Sequence, residues 1–116
     1  HINHVNEISP SLIAKVKLLR DAGVRVLNQS VLLKGVNDST HAQMQLNEGL
    51  FEVGIQAYYL HLLDRINGAA HFDVSEDRAV QIMRDVMAQQ SGYMIPTLVR
   101  EIAGEASKTP VSLSKQ

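Results

Sequence analysis

The sequence predicts an α/β fold with parallel strands, on three observations. Apolar residues at helical spacing alternate with short continuous apolar runs in the order helix, strand, helix, strand, helix, strand. The joins between these segments are short, which favours parallel βα units over separate helical and sheet regions. Each helical stretch begins at a serine (Ser9, about Ser39, Ser75) and stops at a glycine (Gly23, Gly54, Gly92). Three strands with helices between them form an incomplete sheet with open edges. The pattern is therefore expected to be the closing part of a larger barrel, truncated.

Ser9-Pro10 starts the first helix, with serine as N-cap and proline at the first helical position. Leu12, Ile13, Val16, Leu18 and Leu19 recur at helical spacing, and Asp21-Ala22-Gly23 closes the segment. Residues 24–31 read as the first strand, and Lys34-Gly35-Val36-Asn37-Asp38 is turn chemistry. The second helix covers about 39–53, with Met44, Leu46, Leu50 and Phe51 on one side. Residues 55–63 form a buried-type strand that contains Tyr58 and Tyr59, followed by a polar loop over 64–73. Ser75 caps the third helix, whose apolar side carries Ala79, Ile82, Met83 and Met87. The last strand is expected over 96–102. Domain organisation follows as βα units to about residue 102, then a lysine-bearing loop and tail over 103–116.

Composition excludes several classes of function. With 116 residues the chain has the length of one domain, and its net charge of -1 with no basic stripe gives nucleic acid nothing to bind. No apolar stretch is long enough to span a bilayer, and no charged-then-apolar leader opens the chain, so no membrane role is expected. There is no cysteine, hence no disulfide, no thiolate metal site and no iron–sulfur ligand within these residues. A reducing, cytoplasmic setting is compatible with that. The opening His1-Ile2-Asn3-His4, without Met, is expected to be a cut from a longer polypeptide, and exposed strand edges predict association into a homo-oligomer.

Candidate chemistry gathers at strand ends, where α/β sheets place their sites. Lys108 sits on a small-residue loop after the last strand, and a desolvated lysine amine there forms a Schiff base with an aldehyde; the alternative is a solvated, inert lysine. Asp64 and Glu101 follow the second and third strands, either as ordinary solvated carboxylates or as a pair gripping a cationic group. Asn28-Gln29-Ser30 ends the first strand, with strand-end hydrogen bonding weighed equally against a ligand-binding role for Gln29. His1-x-x-His4 precedes the helix cap, and no carboxylate–His–His set completes a zinc site. The segment Gly104 to Thr109 lacks the glycine before lysine and runs into Pro110, so it is not a phosphate-binding P-loop. No Ser-His-Asp arrangement stands out. His41 belongs on a helix surface, and His61 precedes Asp64 by three residues.

These segments resemble a known family along nearly the whole chain. His1-Ile2-Asn3-His4-Val5-Asn6-Glu7, the run from Asn28 to Asp38, Tyr58-Tyr59, Asp64, His71-Phe72, Ser91-Gly92-Tyr93 and Lys108-Thr109-Pro110 resemble, in order, the C-terminal third of lysine 2,3-aminomutases. These are radical S-adenosylmethionine enzymes that also use pyridoxal 5'-phosphate and a [4Fe-4S] cluster. The short tail and Gly104-Glu105-Ala106-Ser107-Lys108-Thr109-Pro110 are most similar to the branch that makes β-lysine for elongation factor P.

The resemblance implies a TIM-type (β/α) barrel and a set of residue roles. Lys108 stands where pyridoxal phosphate is anchored as a Schiff base, and Asp64 and Glu101 stand where two carboxylates hold the substrate's ε-ammonium. Glu101 replaces the aspartate of the catabolic enzymes. His1 and Gln29 match positions that contact S-adenosylmethionine, and His61 falls where the catabolic enzymes have a tyrosine beside pyridoxal phosphate. Ser39 falls where some relatives have a zinc-binding cysteine, so their intersubunit zinc is not expected. The family's three-cysteine cluster motif has no counterpart here. The implied reaction moves the amino group of L-lysine from carbon 2 to carbon 3 by radical chemistry, and the chain alone is expected to be inactive. The competing readings are a catabolic enzyme for free lysine and a non-catalytic interaction module.

Overall fold

The computed structural model describes residues 1–63, 73–100 and 109–113. Within them α1 (Pro10–Asp21), β1 (Val26–Leu32), α2 (Thr40–Val53), β2 (Ile55–Leu62), α3 (Glu76–Gln89), β3 (Thr97–Arg100) and β4 (Thr109–Pro110) follow in that order. The strands form one sheet in the order β1-β2-β3-β4. β1, β2 and β3 are parallel, and β4 runs antiparallel to β3. The three parallel strands and three helices agree with the sequence reading to within about two residues at most boundaries. The antiparallel β4 is an element that reading lacks.

Helix ends follow the local chemistry. Ser9, Ser39 and Ser75 each accept a backbone N–H from the third residue on, which satisfies a donor with no partner inside the helix. At the end of α2 Gly54 adopts φ 84°, a left-handed conformation that side chains with a Cβ disfavour, and its N–H returns to Leu50 and Phe51 carbonyls.

All three helices pack on one face of the sheet. Val16 of α1 and Leu46 and Leu50 of α2 bury Ile55, with Val26 and Ala57 packed against them. Ala79 and Met83 of α3 bury Leu32, Leu60, Leu62 and Leu98 in a second cluster. Of the apolar residues expected along α1, only Val16 is buried; Ile13, Leu18 and Leu19 are exposed. A helix lying on one sheet buries a narrow stripe, and these residues fall outside it. On α2 and α3 the same holds for Phe51 and Met87.

The core-facing residues of β2 change phase along the strand. Ile55 and Ala57 face the helices at its start, Leu60 and Leu62 at its end. The register explains the change: Asn28 pairs with Ala57 and Gln29 with Tyr59, which leaves Tyr58 without a partner as a β-bulge. β1 carries no such slip, and its buried residues Asn28, Ser30 and Leu32 alternate regularly.

Candidate functional site

The face of the sheet opposite the helices carries the residues with chemistry. Leu27, Gln29 and Val31 of β1 alternate with its buried positions, and Tyr59 and His61 of β2 alternate with Leu60 and Leu62. His61 pairs in register with Val31, and Gln29 with Tyr59, so the two polar side chains are diagonal neighbours on the same face. They meet: His61 Nε2 lies 2.9 Å from Gln29 Oε1. A carbonyl oxygen only accepts, so with Oε1 facing the ring this contact requires the imidazole tautomer protonated on Nε2. Among the described residues nothing accepts from the Gln29 amide nitrogen.

An aromatic row continues from this pair. The Tyr59 ring lies edge-on to His61, with centroids 6.0 Å apart, and the Tyr58 ring lies 4.2 Å from Tyr59 at a tilt of 47°. The bulge makes that contact available, since successive side chains on a regular strand point to opposite faces. A hydrogen bond to Tyr58, the charge of that neighbouring phenol and burial hold the Tyr59 phenol above its ordinary range.

The neighbouring polar residues are structural. Asn28 Oδ1 accepts the Ile2 N–H at 2.8 Å, and its amide nitrogen donates to the Ile2 carbonyl at 2.9 Å. Asn28 and Ser30 are buried, so of the three polar residues weighed in the sequence only Gln29 reaches the open face. Buried Asn37 is fully engaged: it accepts from Leu33 N–H and donates to the carbonyls of Asn3 and Val31. His4 Nδ1 accepts the Asn6 N–H at 3.1 Å while Glu7 returns to the backbone of Asn3 and His4, a capping arrangement. No group of three or more His, Cys, Asp or Glu that would hold a metal occurs among the described residues.

His1 is exposed beside the Ile2–Asn28 contact, and no hydrogen bond joins it to Gln29 or His61 among the described residues. His41 lies on the exposed surface of α2, as its spacing predicts. Asp64, Glu101, Lys108 and His71 lie outside the described residues. In the sequence Asp64 comes two residues after the end of β2, Glu101 directly follows β3, and Lys108 directly precedes β4. The sequence reading named Gln29 and His61 separately and missed their contact. The available signal was the phase slip at Tyr58-Tyr59, which turns His61 onto the face of Gln29.

No family model matches the chain. Curated relatives do. The L-lysine 2,3-aminomutase of Escherichia coli (strain K12) is 51% identical over 113 residues, 97% of this chain and 33% of the relative. The L-lysine 2,3-aminomutase of Haemophilus influenzae is 50% identical over 94% of this chain and 32% of its own length. That of Clostridium subterminale is 39% identical over 96% of this chain and 27% of its own length.

The chain is a homologue of the lysine 2,3-aminomutase family.

It spans about a third of the length of the relatives it matches. Identity of this order along the aligned length implies a shared backbone over these residues. Among the described residues no helix is long and apolar enough to cross a membrane.

Proposed function

We propose that this chain is the C-terminal part of an L-lysine 2,3-aminomutase, an isomerase that converts L-lysine to β-lysine, of the branch that supplies β-lysine for elongation factor P. The observation that carries the reading is 51% identity along nearly the whole chain to a relative of that name. The sheet is then the closing part of a TIM-type barrel. Its open face, with Gln29, Tyr58, Tyr59 and His61, lines the lumen, and the helices form the outer layer. The site operates in the cytoplasm, in a protein that forms a homo-oligomer.

The described residues fit S-adenosylmethionine as a ligand. The Gln29 amide offers two N–H donors on an open face beside a row of rings, which suits a ligand with acceptor oxygens and a flat base. His1, next to the anchored Ile2, is the second contact assigned to that ligand. Asp64 and Glu101, one after each of two adjacent parallel strands, bind the ε-ammonium of L-lysine by charge-assisted hydrogen bonds. Lys108 provides the amine that holds pyridoxal 5'-phosphate. The chain has no cysteine, so its residues do not fit the ligand set of a [4Fe-4S] cluster, and the cluster's ligands belong to sequence outside these 116 residues.

Bound S-adenosylmethionine and pyridoxal phosphate supply the radical and carbonyl chemistry of such an enzyme. What this chain contributes is anchoring, orientation and charge complementarity. Incubating the whole protein with L-lysine, both cofactors and a reductant should yield β-lysine, and the 116-residue chain alone should yield none. A whole protein that leaves lysine unchanged under those conditions overturns the reading.

A further inference from the structure

The β-bulge at Tyr58 has a consequence for the open face. Core-facing residues of β2 are odd-numbered before the bulge and even-numbered after it. A strand without the extra residue would turn Tyr59 and His61 towards the helices and leave Leu60 and Leu62 on the open face. The bulge therefore does two things at once: it buries two leucines, and it aims an imidazole at the carboxamide of Gln29. Bulges beside functional sites commonly re-aim a side chain in this way.

A free glutamine carboxamide presents oxygen or nitrogen with little difference in shape and rotates about several bonds. Here Oε1 is held by His61 Nε2 at 2.9 Å, and the amide nitrogen has no partner among the described residues. The polarity of Gln29 is thus set: oxygen inward to the imidazole, N–H donors outward. We infer that His61 is a positioning residue that fixes the Gln29 carboxamide as a donor towards the S-adenosylmethionine ligand. The inference rests on the reading of Gln29 as a contact to that ligand, and it assigns to His61 a role that does not require contact with pyridoxal phosphate.

Glutamine at position 61 places an amide N–H near where the imidazole Nε2–H lies, and asparagine does not reach. S-adenosylmethionine affinity is measured in the whole, cluster-loaded protein for His61→Gln, His61→Asn and Gln29→Ala. Loss of the locking hydrogen bond in His61→Asn should weaken binding about three- to tenfold, and His61→Gln should restore it. In the Gln29→Ala background, His61→Asn should add nothing further. Equal affinities for His61→Gln and His61→Asn, or additive effects with Gln29→Ala, overturn the positioning role while leaving Gln29 a contact. Unchanged affinity in Gln29→Ala itself overturns the contact and with it the inference. A ligand-free readout runs beside these: histidine ring-nitrogen NMR should show His61 protonated at Nε2, with that signal shifted in Gln29→Ala. A His61 protonated at Nδ1 alone contradicts the lock whatever the affinities are.

Discussion

The Asn3 side chain accepts the Val31 backbone N–H at 2.9 Å, so the segment before α1 engages β1 on the side away from β2. Three residues earlier along the strand the Asn28 side chain exchanges two hydrogen bonds with the Ile2 backbone, which docks the same segment against β1. An edge strand otherwise presents unpaired backbone groups along its length. The strand that carries Gln29 is held on both sides, by β2 and by these two asparagine contacts.

Asn3→Ala is expected to destabilise the fold by about 1 kcal/mol, because it leaves the partly buried Val31 N–H without its acceptor. The backbone carbonyl of Asn3 still accepts from Asn37, so the segment stays docked. A urea melt of the variant checks this through a lower midpoint at unchanged slope.

Gly54→Ala is expected to cost about 1–2 kcal/mol through the left-handed backbone at φ 84°. The added Cβ also meets the Arg20 side chain, which is exposed, flexible and free to swing away. Gly23 has the same φ with nothing within 4 Å, so Gly23→Ala should cost a similar amount. Arg20→Ala should therefore rescue little of the Gly54→Ala loss in thermal unfolding.

Tyr59 yields a pH prediction. Its phenol is held above the ordinary value by Tyr58, first through a hydrogen bond and then through charge. The folded chain keeps that proton to higher pH than the unfolded chain. The associated stability is complete below about pH 10 and is lost as pH rises through the folded value. Tyr58→Phe removes both contributions, so phenolate absorbance should show Tyr59 titrating closer to its ordinary value.

Much of this fold was legible because its punctuation is local. Ser9 and Ser75 cap their helices and Gly54 ends α2 through interactions within a few residues, which sequence exposes directly. Two features were hidden. β4 is two residues long in a polar stretch and includes Pro110, which has no N–H to donate; its pairing with Val99 and Arg100 is a long-range event. The Gln29–His61 contact depends on register between two strands, and a single unpaired residue at Tyr58 decides it. Asn28, Gln29 and Ser30 look alike in sequence, and only the alternation of the pleat separates the two buried residues from the one that faces the site.

Borohydride reduction of the whole protein loaded with pyridoxal phosphate tests most directly the proposal that Lys108 anchors the coenzyme of a lysine 2,3-aminomutase. Peptide mapping should find the reduced coenzyme on Lys108, and Lys108→Ala should abolish the label. Label that persists in Lys108→Ala, or that maps to another lysine in the native sequence, would contradict the account.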